Sequence, residues 1–265
     1  MLRNRIIPCL LLRNESLVKT VNFKKPSYIG DSINTVRIFN ELEVDELVFL
    51  DIMATREKRG PNFQILQEIS NECFMPLAYG GGIRNLDDIK KIFKIGFEKI
   101  AINSYAMENP SFVTEVANVF GSQSIIGSID VRKNFWGKYE VITHCGTKKQ
   151  RISPVDWAKR LEELGVGEIF LTAIHQEGTW NGYDIELIKL INDTINIPII
   201  VNGGAGNLDH IHQAIHQGNV SAVALGSMVV YQNKGMGVLV SFPDKEKLEK
   251  VIQMKSISYP RVRKM

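Results

Sequence analysis

Asp130 closes the run Ile125-Ile126-Gly127-Ser128-Ile129-Asp130, and the isoleucines before it would hold a carboxyl away from water and lift its pKa into the range of a general acid or base. Two glycine clusters offer the anion binding that such proton chemistry would serve. Pro76-Leu77-Ala78-Tyr79-Gly80-Gly81-Gly82 leads into Asn85-Leu86-Asp87. Pro198-Ile199-Ile200-Val201-Asn202-Gly203-Gly204 leads into Asn207-Leu208-Asp209, 122 positions later. Gly81, Gly82, Gly203 and Gly204 lack a Cβ, so their N–H groups can approach a phosphate, and the helix starting at each Asn-Leu-Asp adds its positive end. Asn103-Ser104 and Gly226-Ser227 would supply further donors beside the two cradles. Such a pair suits a ligand with a phosphate at each end. The same glycines also suit plain strand-to-helix turns, but their recurrence at symmetric positions favours phosphate binding.

Other ionisable groups stand at strand ends or just beyond. Asp51 reads equally as a catalytic carboxylate and as one that orients its own loop. His175 reads as a surface residue, and Glu177 follows it closely. At the opposite ends of the strands, Arg5, Glu46, Lys99 and Glu168 alternate in charge and form a ring in which each ion offsets the desolvation of its neighbours. That ring is either a salt-bridged plug or a gate.

Positioning these residues takes eight strands, and the chain offers eight apolar runs: Arg5 to Leu11, Glu46 to Asp51, Met75 to Gly80, Glu98 to Asn103, Gln123 to Asp130, Glu168 to Ala173, Ile197 to Asn202 and Val220 to Leu225. Amphipathic segments lie between them, at Ser32 to Leu42, Phe63 to Ile69, Leu86 to Phe93, Pro110 to Phe120, Pro154 to Leu164, Ile185 to Asn192 and Leu208 to His216. Alternation of this kind is the βαβ pattern, and eight units close into a (β/α)8 barrel. The repeat divides it into two half-barrels, at about 1–121 and 122–254, followed by a basic tail at 255–265. Phe49-Leu50-Asp51 aligns with Phe170-Leu171-Thr172 at an offset of 121, and Arg5 to Leu11 aligns with the run ending at Asp130 at an offset of 119, which sets Leu11 against Asp130. A small hairpin is expected within Lys133 to Arg151, where Tyr139-Glu140-Val141-Ile142-Thr143 alternates. Phe23 to Gly30, with two lysines and Pro26, reads as an exposed, mobile loop.

Bulk properties narrow the function. The 265 residues suit one barrel domain, and 44% hydrophobic content is enough for its core. With 32 basic and 29 acidic residues, the net charge of +3 gives no broad footprint for nucleic acid or an anionic membrane. Cys9, Cys73 and Cys145 are far apart and without ligand spacing, so neither a disulfide framework nor a metal site is expected, and a reducing cytoplasm fits. The apolar run Ile6 to Leu12 is too short for a secretion signal or a membrane span. No cofactor is expected.

Several blocks carry a resemblance: Arg5-Ile6-Ile7-Pro8-Cys9-Leu10, Asp45-Glu46-Leu47-Val48-Phe49-Leu50-Asp51-Ile52, Gly80-Gly81-Gly82-Ile83, Gly121-Ser122-Gln123, Gly167-Glu168-Ile169-Phe170-Leu171-Thr172, Gly178-Thr179, Gly182-Tyr183-Asp184 and Gly203-Gly204-Ala205-Gly206. Through them the chain resembles the HisF family, the cyclase subunits of imidazole glycerol phosphate synthase, over nearly its whole length. The resemblance implies a barrel that receives ammonia from a HisH-type glutaminase, its heterodimeric partner on the barrel floor. Standard members add that ammonia to the bisphosphate PRFAR, giving imidazole glycerol phosphate and AICAR. It also implies that Arg5, Glu46, Lys99 and Glu168 gate the ammonia passage, that Lys19 belongs to a mobile first loop closing over substrate, that Asp130 is one of two catalytic aspartates, and that Glu177 and Gly178 lie on the second phosphate loop.

Departures from the family pattern bear on the acceptor. Leu11 stands where the family has its other catalytic aspartate, Glu177 and His175 each replace an aspartate, and Trp180 and Asn181 alter the flanking loop. Loss of an acid/base group removes about 10²- to 10⁴-fold in rate. These departures point to a second reading, a divergent branch of the family that supplies ammonia for acetamidino groups on nucleotide sugars of surface glycans, alongside a separate sugar amidotransferase. A HisA-like sugar-phosphate isomerase is a third reading, and Leu11 counts against it.

Overall fold

The structure is a computed structural model that describes residues 4–253. Its strands are β1 (Arg5–Arg13), β2 (Ser16–Val21), β3 (Lys24–Asp31), β4 (Leu47–Asp51), β5 (Leu77–Gly80), β6 (Lys99–Ile102), β7 (Ile125–Lys133), β8 (Tyr139–Thr143), β9 (Lys148–Lys149), β10 (Glu168–Ala173), β11 (Ile199–Asn202) and β12 (Ala222–Leu225). Its α-helices are α1 (Ser32–Glu41), α2 (Phe63–Glu72), α3 (Leu86–Ile95), α4 (Ser104–Glu108), α5 (Pro110–Phe120), α6 (Pro154–Leu164), α7 (Ile185–Asn192), α8 (Leu208–Gly218), α9 (Ser227–Val230) and α10 (Lys245–Gln253). Strands β1, β4, β5, β6, β7, β10, β11 and β12 pair in parallel in that order, and β12 returns to β1, which closes the (β/α)8 barrel. Each of the eight runs read from the sequence overlaps one of these strands; six contain theirs whole, while β1 and β7 run on past Leu11 and Asp130. No described helix is long and apolar enough to cross a membrane.

Strand parity sorts the core into two compartments. Ile7, Cys9, Leu11, Val48, Ala78, Ala101, Ile126, Phe170, Ile200, Ala222 and Ala224 form the buried cluster inside the barrel. Their sequence neighbours Ile6, Leu10, Phe49, Tyr79, Ile100, Ile125, Ile169 and Leu171 pack outward beneath the helices. The helices answer with one apolar stripe each, such as Ile65, Leu66 and Ile69 on α2. Side-chain caps fix their starts: Asn85 accepts from the N–H of Asp88 at 2.8 Å, and Asn207 from that of His210 at 3.0 Å. Both halves thus begin the helix after the glycine cradle in the same way, 122 residues apart.

Parity also corrects one alignment. Phe49 faces the helices while Phe170 faces the barrel interior, so they are not equivalent positions, although their local sequences match. A shift of one residue turns every side chain to the other face, and the structural offset at this strand is 122. Val48 then corresponds to Phe170, Leu50 to Thr172 and Glu46 to Glu168.

Two segments elaborate the mouth, the end where the parallel strands finish. β8 pairs antiparallel with the extended end of β7, forming the expected hairpin, and β9 adds to it. The segment Phe23 to Gly30 is not a loop. Lys24 to Gly30 belong to β3, with Phe23 in the turn before it; β3 pairs antiparallel with β2, and β2 pairs in turn with the end of β1. β3 is an outer edge strand, where Pro26 and the exposed Lys24 and Lys25 cost no ladder hydrogen bond and discourage further pairing. The basic tail at 255–265 lies outside the described residues.

Candidate active site

Asp130 ends the inward face of β7 and is only 8% exposed. Burial raises its carboxyl to about 7, against the hydrogen bonds of Asn103 and Thr172, which pull it down. Asn103 donates to Oδ2 at 2.8 Å, and Asn202 donates to the Thr172 hydroxyl at 3.2 Å, leaving that hydroxyl's own proton for Asp130. A carboxyl so placed can hold or release a proton near neutral pH. Leu11, on the inward face of β1, lines the same cleft, together with Cys9, Leu50 and Ile52. One wall is therefore apolar and the other polar. The cleft encloses about 380 Å³, enough for a small metabolite.

The first glycine cradle lies on this cleft. Gly80, Gly81, Gly82, Asn103 and Ser104 all line it. Gly81 adopts φ +138°, and a Cβ there would lie 2.8 Å from the Asp51 carbonyl oxygen. Gly203 adopts φ +98° with the Ala173 carbonyl oxygen at the same distance. Both turns therefore demand glycine on packing grounds alone, whether or not phosphate binds. Ser104 accepts a hydrogen bond from the His144 N–H at 2.9 Å, which leaves its hydroxyl proton free for a ligand and ties the β8 hairpin to the cradle. The Cys145 thiol donates to the Ile52 carbonyl at 2.9 Å and is pushed up to about 12 by burial, so it stays a neutral wall.

The second cradle is arranged differently. Lys19, on β2, reaches Gly226 so closely that a Cβ there would lie 2.8 Å from its Cε and 3.1 Å from its Nζ. Its ammonium pairs with the Glu177 carboxylate, and both are buried. Glu177 also accepts from the Thr20 hydroxyl at 3.0 Å and from the Phe23 N–H at 3.1 Å, while Asn22 N–H donates to its carbonyl at 2.9 Å. Gly178 packs directly beneath Thr20. The segment expected as a mobile loop is a hairpin latched to the loop after β10. Glu177 turns its carboxylate toward that latch, and among the residues lining the cleft are Lys19 and Glu177 but not Gly203, Gly204, Gly226 or Ser227.

Asp51 lies on the outer parity of β4. It accepts from the N–H groups of Met53 and Ala54 at 2.9 and 3.0 Å and from both terminal nitrogens of Arg59 at 2.7 and 3.1 Å. Those bonds organise its own loop. His175 stands away from Asp130, with Nε2 2.8 Å from Asp184 and Nδ1 accepting from the Lys133 N–H at 3.3 Å, where it braces the β7–β8 hairpin against the start of α7.

At the floor, the four charged residues converge. Arg5 bonds Glu46 at 2.5 Å and also bonds Glu168, and Lys99 lies 2.7 Å from Glu168 and 3.7 Å from Glu46. Burial lowers the Arg5 pKa, but the two carboxylates outweigh it and the net direction is up. Glu46 Oε1 is buried without a hydrogen-bond partner among the described residues.

Residues 5–235 match the model of a family described as "Histidine biosynthesis protein". The chain is 49% identical over 249 residues to a provisionally named imidazole glycerol phosphate synthase subunit, hisF2, of Pseudomonas aeruginosa, covering 94% of this chain and 99% of that protein. It is 42% identical over 231 residues to the imidazole glycerol phosphate synthase subunit HisF of Alkaliphilus metalliredigens, covering 87% and 92%. The chain belongs to the HisF family. A provisionally named HisF subunit of Leptospira borgpetersenii is 48% identical over 252 residues, covering 94% and 99%.

Several cleft residues of this HisF-family chain escape sequence reasoning. Thr172 and Asn202 feed Asp130 through hydrogen bonds that the pairing of β10 with both β7 and β11 creates. Arg13, Arg56 and Arg84 line the cleft from three separate loops or strand ends. Their one sequence signal is position: Arg13 ends a barrel strand, and Arg56 and Arg84 follow a barrel strand or its glycine turn.

Proposed function

We propose that this chain works as a HisF-type synthase subunit that takes ammonia from a HisH-type glutaminase on its floor and adds it to a phosphorylated acceptor at its mouth. The observation that carries this reading is the alignment of a charged ring at one end of the barrel with a near-neutral carboxyl at the other. The ring of Arg5, Glu46, Lys99 and Glu168 has two cations against two carboxylates, and Glu46 Oε1 leaves one buried acceptor that an ammonia molecule in transit would fill. Asp130 then moves protons at the acceptor and Gly81, Gly82, Asn103 and Ser104 hold a phosphate, while Lys19, already paired with Glu177, lies against Gly226 of the second cradle of Gly178, Gly203, Gly204, Gly226 and Ser227. Asp51 serves by holding the loop that carries Arg56 and Arg59.

In standard members the acceptor is PRFAR, and the direct test is its conversion to imidazole glycerol phosphate and AICAR by the purified chain with ammonium chloride. Product at a rate dependent on Asp130 supports cyclase activity. One observation favours a second reading: Leu11 leaves the wall opposite Asp130 apolar, where ring closure calls for a second acid/base group. On that reading the chain is a divergent paralogue that delivers ammonia for acetamidino modification of a nucleotide sugar, working with a separate sugar amidotransferase. Absence of imidazole product, together with loss of surface-sugar amidination when the chain is deleted, decides for the second.

A further inference from the structure

The cations at the mouth are unevenly distributed. Of those near the second cradle, Lys19 is consumed by Glu177. Near the first, Arg59 is consumed by Asp51 and Glu57. Arg13 and Arg56 line the cleft and have no acidic partner among the described residues, and Arg84 has only Glu108 at 3.9 Å and the face of Tyr105 at 5.6 Å from the ring centroid. All three arginines line the cleft that holds Gly81, Gly82 and Ser104. Arg56 sits within electrostatic reach of Cys145 on the same wall. Its loop is rigid because Asp51 binds Met53 and Ala54 through their N–H groups and Arg59 through two nitrogens, so the Arg56 backbone is held in place before any ligand arrives.

A phosphate monoester at the first cradle needs only the cradle's own donors. Three further guanidinium groups on the same side are an excess for one phosphoryl group but match two that are joined, because guanidinium forks bind phosphoryl oxygens in pairs. On the other side Lys19, which also lines the cleft, is already held by Glu177, so among the described residues the cations without an acidic partner stand with the first cradle.

We propose that the acceptor carries its charge at one end, as a diphosphate seated on the first cradle and clamped by Arg13, Arg56 and Arg84. This rests on the reading of the cleft as the acceptor site. Arg13 and Arg56 are specificity determinants on this account, and both are exposed enough to replace without disturbing the core.

The test is calorimetric titration of the purified full-length chain with pyrophosphate, inorganic phosphate and fructose 1,6-bisphosphate, repeated on Arg13→Ala and Arg56→Ala. Pyrophosphate is expected to bind at least about tenfold tighter than either other anion, the value of one charge-assisted hydrogen bond. Each arginine variant should lose about tenfold toward pyrophosphate and keep its affinity for inorganic phosphate. Equal affinities for the three anions, or tightest binding of fructose 1,6-bisphosphate, overturn the proposal and leave the acceptor-site reading standing. Failure of every anion to bind overturns both.

Discussion

Leu11 and Asp130 occupy equivalent inward positions of β1 and β7, 119 residues apart, and line one cleft from its apolar and polar walls. The two half-barrels agree at their glycine turns, helix caps and floor carboxylates, and differ at this inward position. Restoring a carboxylate at the apolar position tests what that difference does. Leu11→Asp is expected to raise ammonium-dependent turnover of PRFAR by about 10²- to 10⁴-fold over the native chain. An unchanged rate, measured by imidazole glycerol phosphate formation, would show that Asp130 suffices alone.

Asp130 also makes stability depend on pH. A carboxyl whose pKa rises from 3.8 to about 7 on folding binds its proton more tightly in the folded chain. Its contribution is whole below the unfolded value and is lost as pH rises through about 7. Asp130→Asn keeps the shape and never ionises, so it should gain on the native chain by about 3 kcal/mol between pH 5 and pH 8.5. Urea unfolding at the two pH values measures this directly, and a pH-independent difference would contradict the assigned shift.

The barrel was legible because period-2 and period-3.6 patterns alternate cleanly and each glycine turn is bounded by apolar runs. The failures came from parity and from distance. Phe49 and Phe170 look alike in sequence yet face opposite compartments, and only pairing of Leu50 with Gly80 and of Phe170 with Ile200 reveals which face each strand buries. The β2–β3 hairpin was misread because lysines, proline and glycine mark edge strands as well as loops. Lys19 and Glu177 are 158 residues apart, and no local signal joins them. The same holds for the three arginines of the cleft, whose convergence depends on the parallel pairing of β1, β4 and β5. Asp130, by contrast, is legible as the carboxylate closing an apolar strand run, although of the isoleucines before it only Ile126 shares the barrel interior and Ile125 and Ile129 pack beneath the helices.

The buried Lys19–Glu177 pair predicts how the mouth opens. Removing one member strands the other's charge, at a cost of about 3 to 5 kcal/mol where both are desolvated. Lys19→Met should therefore free the hairpin, and trypsin should cleave between Lys24 and Lys25 at least about a hundredfold faster than in the native chain, the bond after Lys25 being protected by Pro26. Lys19→Met combined with Glu177→Met should restore most of the protection, because two apolar side chains leave no unpaired charge. Equal cleavage of all three proteins, followed by mass spectrometry, would show that the latch is held by the bonds of Asn22 to the Glu177 and Ile174 carbonyls and not by the ion pair.

At the floor, Arg5 bridges two carboxylates that only Lys99 otherwise offsets, so Arg5→Met changes the ring from zero net charge to one excess negative charge. Because the Arg5 side chain is 26% exposed, water screens part of that imbalance, and the expected loss is about 1 to 3 kcal/mol rather than the full cost of a buried ion. Arg5→Met with Glu168→Gln rebalances the ring and should recover at least half of it, which urea unfolding of the four proteins in the cycle measures. The same cycle separates plug from gate. A plug predicts that turnover with ammonium chloride and turnover with glutamine plus the glutaminase fall in parallel with stability. A gate predicts that the rebalanced variant regains stability and ammonium-driven turnover while its glutamine-driven turnover stays reduced, because ammonia arriving from the floor still meets a ring without its arginine.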